Sequence, residues 1–150
     1  MRLRHCGKRF FFGLFIAAGF CPLWSQPEDT DPAAFIGVTL GELITRLGVP
    51  DSVYAVRGLE EWQDDVVFVY KDKDFYIFKD KVWQLGLKSF SGVGLGTKRD
   101  AISLVLGEGV DTYETYTLFA LTGHSLPLML RFNVDKRGLV SAIYLYRSDF

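Results

Sequence analysis

A glycine-bounded amphipathic segment occurs twice in this chain of 150 residues. Residues 37–48 read GVTLGELITRLG, and residues 96–107 read GTKRDAISLVLG. In both, aliphatic residues recur at the period of a helix, and a Leu-Gly pair ends the segment. Helices of two to three turns are marginal alone and must be held by packing against other elements. The duplication therefore predicts two tandem units, each with one short helix supported by neighbouring structure.

Runs of residues that favour pleated, half-buried surfaces follow each segment. They are SVYAVRG (52–58), DVVFVY (65–70), FYIF (75–78), KVWQLGL (81–87), TYTLFAL (115–121), LPLMLRFNV (126–134) and LVSAIYLYR (139–147). Short turns such as KDKD (71–74) and DKRG (135–138) separate them, and connections of this length join antiparallel strands. We therefore predict an α+β protein of two tandem units, at 35–90 and 91–150. Each unit is expected to pack a short helical element on an antiparallel sheet.

The last two strands alternate in a way that predicts two different sheet faces. In the first, Leu128, Leu130, Phe132 and Val134 alternate with Met129, Arg131 and Asn133. In the second, Leu139, Ser141, Ile143 and Leu145 alternate with Val140, Ala142, Tyr144 and Tyr146. One face is expected to cover the helices, and the other carries aromatic side chains.

The N-terminal segment has the pattern of an export signal. Four basic residues precede an apolar run from Phe10 to Phe20, which is too short to span a bilayer. We predict a signal peptide over residues 1–25, cleaved after Ser25, and a solvated linker over 26–34. Cys21 leaves open an alternative, since a lipidated cysteine there would anchor the protein to the outer membrane, although Phe20 is bulky for a lipoprotein signal. The expected location is periplasmic, with membrane association only if Cys21 is lipidated.

Charge and cysteine content limit the chemistry of the mature chain. Removing residues 1–25 takes away four of the 17 basic residues and none of the 18 acidic ones, which gives a net charge of −5. An acidic domain without a basic stripe is a poor nucleic-acid ligand, so no nucleic-acid partner is expected. Both cysteines, Cys6 and Cys21, lie in the predicted signal, so the mature chain has no disulfide, thiol nucleophile or cysteine metal site.

These residues resemble a family of small bacterial envelope domains. The first copy has Gly37, then Leu47-Gly48-x-Pro50, then Trp62 and FYIFKDKVWQLGL. The second copy matches it at Gly96, Leu106-Gly107 and RFNVDKRGLVSAIYLY. It differs in having Gly109 in place of the proline and in lacking the tryptophan. This pattern is similar to the SmpA/OmlA (BamE-like) group, whose architecture is related to the β-lactamase-inhibitor-protein fold. The resemblance implies binding to other proteins or support of envelope assemblies, without catalysis or cofactors.

Candidate catalytic and metal-binding residues are few. The mature chain has one histidine, His124, in the stretch TGHSLP, which favours an exposed loop over a general base. The acidic stretch GLEEWQDD (58–65) lacks the spacing of a calcium loop. The glycines of SGVGLGTKRD (91–100) fit neither a Walker loop nor a dinucleotide fingerprint, and instead predict a flexible boundary between the units. We therefore expect no catalytic residues, no cofactor site and no metal site.

Aromatic side chains with polar tips are the remaining functional signal, because tyrosine and tryptophan are enriched at protein interfaces. The predicted protein-binding residues are Tyr54, Trp62, Tyr76, Trp83, Tyr144 and Tyr146. We expect a non-enzymatic module that presents these rings, bordered by the acidic loop, to another envelope protein. An alternative is a pocket between the two units that holds a small apolar or lipid-like ligand.

Overall fold

The computed structural model describes residues 31–58 and 65–149. The predicted signal peptide, Cys21 and Trp62 lie outside these residues. The described chain contains ten strands, two eight-residue α-helices and one 3₁₀ helix. In chain order these are the 3₁₀ helix Pro32–Phe35, α1 Leu40–Leu47, β1 Ser52–Val56, β2 Asp65–Tyr70, β3 Lys73–Phe78, β4 Lys81–Leu87, β5 Ser89–Phe90, β6 Val93–Gly94, α2 Arg99–Leu106, β7 Asp111–Thr112, β8 Tyr116–Leu121, β9 Leu128–Val134 and β10 Val140–Arg147.

Eight strands form one antiparallel sheet in the order β1-β2-β3-β4-β10-β9-β8-β7, while β5 and β6 form a separate hairpin. The predicted α+β fold of two tandem helix-on-sheet units is therefore wrong, because the structure is largely β and both sets of strands belong to one sheet. The join is the pairing of β4 with β10, from Leu87 opposite Ile143 to Gln84 opposite Tyr146. A strand edge left unpaired exposes backbone N–H and C=O groups, and this pairing satisfies those of both strands.

The first glycine of each glycine-bounded segment nevertheless makes an equivalent backbone hydrogen bond to the sheet. The Gly37 N–H donates to the Val82 carbonyl at 2.8 Å, and the Gly96 N–H donates to the Val140 carbonyl at 2.8 Å. Both glycines have positive φ, +86° and +80°, where a side chain would be strained. The repeated glycine thus marks a turn that ties the start of each helix to the sheet.

The starts of the two helices differ in their side-chain caps. Thr39 caps α1: its Oγ1 accepts from the Glu42 N–H at 3.3 Å, and the Glu42 carboxylate accepts from the Thr39 N–H at 2.9 Å. That backbone hydrogen bond lowers the pKa of Glu42. Lys98 occupies the corresponding position of α2 and makes no capping hydrogen bond with its side chain. In α2, Arg99 instead donates to the Glu114 carbonyl at 2.9 Å, which links the helix to the turn before β8.

The core lies on the face of the sheet that the helices cover. Leu43 of α1, Ile102 of α2 and Phe35 of the 3₁₀ helix are fully buried, and Phe35 meets Phe75 edge-to-face with ring centroids 5.2 Å apart. The sheet contributes Phe75, Val82, Leu85, Leu128, Leu130, Phe132, Ile143 and Leu145 to the same cluster. We call this side of the sheet the covered face.

Most sequence-predicted strands are confirmed, and the differences arise where the chain departs from strict alternation. β9 alternates buried and half-buried residues as predicted. In β10 a bulge between Val140 and Ala142 reverses the expected side of Val140, which is buried in the core. The stretch predicted to be a flexible boundary contains β6, and its Val93 is buried in the core, so this stretch packs as part of the fold.

Candidate functional site

The opposite side of the sheet, which we call the open face, carries aromatic and polar side chains. Residues directly opposite one another in antiparallel strands point to the same face, so the register defines its members. One row across the sheet is Tyr54, Val67, Tyr76, Gln84, Tyr146, Met129 and Ala120, and the next is Val69, Asp74, Gly86, Tyr144, Arg131 and Leu118. None of these residues belongs to the hydrophobic core cluster. Except for Val67, all remain half-buried or exposed in the described structure.

Tyr76 and Tyr144 form the centre of the open face. Their rings meet edge-to-face, with centroids 6.2 Å apart and planes at 79°. Burial, reinforced by Tyr144 and Tyr54, raises the pKa of the Tyr76 phenol well above its usual value. A neutral phenol with a hydrogen-bonding hydroxyl is the form that this environment favours.

Val67 shows how closely the open-face rings pack. It is 0% exposed although it lies on the side opposite the helices. Its register neighbours are Tyr54 on β1 and Tyr76 on β3. The open face therefore has a buried apolar side chain of its own, which is separate from the core cluster.

Trp83 joins this face through an irregularity in β4. The register between β3 and β4 shifts after Tyr76, which leaves Trp83 as an extra residue between Val82 and Gln84. Its indole N–H donates to the Asp65 carboxylate at 2.9 Å. Alternation along β2 places Asp65 on the same side as Val67, so the indole is held at the border of the open face.

Arg131 gives the open face a positive charge that the sequence-based prediction did not include. Its guanidinium lies over the Tyr116 ring, 4.1 Å from the centroid, and its Nε donates to the Asn133 side chain at 2.6 Å. Burial raises the pKa of the Tyr146 phenol, while Arg131 acts in the opposite direction. The strict alternation of β9 was the signal that could have placed Arg131 here.

Asp74 supplies the opposite charge on β3, with β4 and β10 lying between it and Arg131 on β9. Burial raises the pKa of its carboxyl, and Lys88 partly opposes that rise. Gly86 lies beside it in the register, and a Cβ added at Gly86 would meet the Asp74 Cβ at 3.3 Å. The absence of a side chain at Gly86 lets Asp74 lie close to the sheet beside the Tyr76 ring.

The structure therefore brings together four of the predicted binding residues and leaves one at the margin. Tyr76, Tyr144 and Tyr146 share the open face, and Trp83 borders it. Tyr54 lies in the same row but on the first strand of the sheet, where its side chain is 46% exposed. Trp62 and most of the acidic stretch fall outside the described residues.

The described residues contain neither a metal-ligand cluster nor a membrane-spanning helix. Across residues 31–58 and 65–149, no three His, Cys, Asp or Glu side chains are grouped as metal ligands would be. Neither α1 nor α2, nor any other helix in that part of the chain, has the length and hydrophobicity that crossing a bilayer requires.

A shallow depression lies where the alternative ligand pocket was expected, between the two halves of the chain. The 3₁₀ helix and the β8–β9 loop line it, and its volume is about 260 Å³. Asp31, His124 and Ser125 supply polar groups to the lining, and His124 is exposed. Ligand pockets are usually about 300–1,000 Å³ and largely apolar, so this depression is a poor match for a lipid-like ligand.

No protein-family model matches the chain, and a comparison with curated proteins finds no significant match. Among solved structures, an extracellular protein containing an SCP domain from Bacillus anthracis aligns with a TM-score of 0.51 and 12% identity, over 81% of this chain and 47% of that one. A DUF4309 family protein from Bacillus subtilis aligns with a TM-score of 0.47 and 16% identity, over 73% of this chain and 78% of that one. A cysteine-rich secretory protein from Staphylococcus aureus aligns with a TM-score of 0.47 and 11% identity, over 77% of this chain and 46% of that one.

This chain spans about half the length of the SCP-domain protein, and the likeness to it is one of fold alone. The resemblance to the SmpA/OmlA (BamE-like) group and to the β-lactamase-inhibitor-protein fold is wrong, because the fold aligns instead, at a TM-score of 0.51, with an extracellular protein that contains an SCP domain. The shared motifs were a few glycines at helix ends and strand-like apolar runs. Such features report local turns and periodicity, which many folds use.

Proposed function

We propose that this chain is an exported, non-enzymatic binding module whose open face contacts another protein of the bacterial cell envelope. The observation that carries the proposal is the grouping of Tyr76, Tyr144 and Tyr146 on a sheet face that stays half-exposed in the described structure. Tyrosine rings bury large area at little entropic cost and keep a hydroxyl for hydrogen bonding.

Charge adds specificity to this face. Arg131 and Asp74 lie on either side of Tyr144, so a partner must match both a cation and an anion around an aromatic centre. Complementary charges select partners and orient them more than they add raw affinity. Export is supported by the basic and apolar N-terminal pattern of residues 1–25, and the similarly folded SCP-domain protein is an extracellular one.

The test is affinity capture from a native envelope extract, with the full chain tagged at its C-terminus. One bait carries Tyr144→Ala and Tyr146→Ala on the open face. A matched bait carries Val49→Ala and Leu104→Ala, two apolar side chains that are 86% and 85% exposed and lie outside the open-face rows. Circular dichroism establishes first that all baits are folded.

A partner retained by the wild type and the matched bait, but lost with the open-face bait, supports the proposal. Equal recovery by all three baits contradicts it, because the open face would then contribute nothing to capture. No specific protein with any bait, together with lipid co-purifying in organic extracts, would favour the small-ligand alternative instead.

A further inference from the structure

The two ends of the eight-stranded sheet are unlike. β7 is two residues long, whereas β1 is a five-residue strand, Ser52–Val56, in which every residue is exposed. β1 comes first in the sheet order, and in the described chain it pairs only with β2. The outward-directed N–H and C=O groups of β1 are therefore a template for one more strand.

The sequence of β1 lacks the features that usually block such pairing. Natural edge strands are kept apart by short length, by charged residues or proline, or by bulges. The strand SVYAV has none of these, and its pairing with β2 is regular over all five residues. Val53, Tyr54 and Val56 are 50%, 46% and 38% exposed, so apolar area is available on both sides of the strand.

We propose that β1 pairs antiparallel with β1 of a second copy of this chain, about a two-fold axis at Tyr54. In this register Ser52 lies opposite Val56, Val53 opposite Ala55, and Tyr54 opposite Tyr54 of the second copy. Beyond the strand ends, Asp51 of each copy lies opposite Arg57 of the other. The residues that flank the strand thus carry opposite charges where the two copies would meet.

Backbone geometry and charge together select this register. Strand residues alternate in the direction of their backbone groups, so only registers that pair residues an even number of positions apart can form hydrogen bonds. Shifting the register by two residues places Arg57 opposite Val53 or opposite Val49. Only the centred register sets both acidic residues against both basic ones.

The pairing would place the open faces of the two copies side by side. Residues opposite each other in antiparallel strands point to the same side, so both Tyr54 rings lie on one surface. The result is a continuous sixteen-stranded sheet, twice the eight strands of one copy, with one aromatic face. This inference stands without the proposed partner, since self-pairing requires only β1 and its flanks.

The first experiment is sedimentation equilibrium of the purified full chain over a wide concentration range. We expect a monomer–dimer equilibrium in the wild type. Asp51→Arg places like charges together at both ends of the junction and should raise the dimer Kd about tenfold, since exposed ion pairs contribute modestly. Asp51→Arg combined with Arg57→Asp restores opposite charges and should return the Kd to within about twofold of the wild type.

A cysteine trap reads out the register independently. With Cys6 and Cys21 replaced by serine throughout, Tyr54→Cys places two thiols on directly opposed residues, within the Cα separation that disulfides require. Oxidation should then give a covalent dimer. Val56→Cys is the matched control, because its opposite residue is Ser52 and no disulfide should form.

The trap and the charge swap also define what would overturn the proposal. A chain that stays monomeric at every soluble concentration and gives no Tyr54→Cys dimer contradicts it. So does a dimer whose Kd is unaffected by Asp51→Arg, or a disulfide that forms equally well at Val56→Cys. Loss of partner capture with the open-face bait would leave these results unchanged, so the two proposals fail separately.

Discussion

The two faces of the central sheet are made by the same strands but differ in almost every physical property. The covered face is filled by Phe75, Leu145, Phe132 and their neighbours, which the helices bury completely. The open face carries tyrosines, one arginine and one aspartate, most of them half-exposed. Because side chains alternate along a strand, one set of residues can stabilise the fold while the other is free to vary with function. Substitutions on the two faces should therefore have unlike costs.

The largest contrast is expected between Phe132→Ala and Tyr144→Ala. Phe132 is fully buried and meets Phe119 edge-to-face at 5.9 Å, so its truncation leaves a cavity and should lower the free energy of unfolding by about 3–5 kcal/mol. Tyr144 is half-exposed, and its truncation should cost about 1 kcal/mol. Urea denaturation of both variants measures the difference. Equal losses in the free energy of unfolding would contradict the view that the covered face contributes most of the stability.

The covered face also depends on α1 being held in place by its cap. Thr39→Ala removes the hydroxyl that accepts from the Glu42 N–H, and should lower the free energy of unfolding by about 0.5–2 kcal/mol. Lys98→Ala is the matched change at α2, where the side chain makes no capping bond, and should stay within about 0.5 kcal/mol of the wild type. Thermal unfolding followed by circular dichroism gives both values, and a larger loss at Lys98 would refute the assignment.

At the border of the open face, the Trp83 indole donates a hydrogen bond to Asp65. Trp83→Phe keeps an aromatic ring but removes the donor to Asp65, and should cost about 1 kcal/mol. A double-mutant cycle with Asp65→Ala measures the pair, since the two losses should not add if the bond is their shared cause. Full additivity would show that the bond contributes nothing measurable.

At neutral pH, Tyr76→Phe should change the free energy of unfolding least of these substitutions. Above a pH of about 10, the wild type should lose stability faster than this variant does. Burial raises the pKa of Tyr76 in the folded chain, so above a pH of about 10 the unfolded chain releases this proton first. Raising the pH therefore favours unfolding of the wild type, and the stability present below pH 10 is lost progressively. The variant should lose stability less steeply over the same range, as urea midpoints at increasing pH would show. Equal slopes would mean that Tyr76 ionises alike in both states.

Local features of the fold could be predicted because short-range periodicity determines them. The alternation of β9, the turn at residues 135–138 and the Thr39 cap of α1 each depend on residues within a few positions. Alternation along one strand was enough to predict Tyr144 and Tyr146 on the same side, but the position of Tyr76 beside them depends on the register between strands. Arg131 was missed since its role arises from Tyr116, which lies on a different strand.

Bulges and long-range pairings set the limits of such prediction. The extra residue in β10 moved Val140 into the core, and the shift in β4 placed Trp83 beside Asp65. Neither bulge can be predicted from the alternation of apolar and polar residues, because a single inserted residue looks like ordinary strand sequence. The buried Val93 shows the same limit in a glycine-rich stretch, where flexibility was expected from composition.

By itself, the sequence determined the two short α-helices and the glycines that end them, the longer strands, and the antiparallel pairing of strands joined by short turns. It also determined which residue types are available for a binding surface. Only the tertiary structure decided that β4 and β10 join all eight strands into one sheet, and hence that the chain is largely β. Local propensity acts over a few residues, whereas strand pairing depends on burying backbone groups and apolar area between segments about 60 residues apart in the chain.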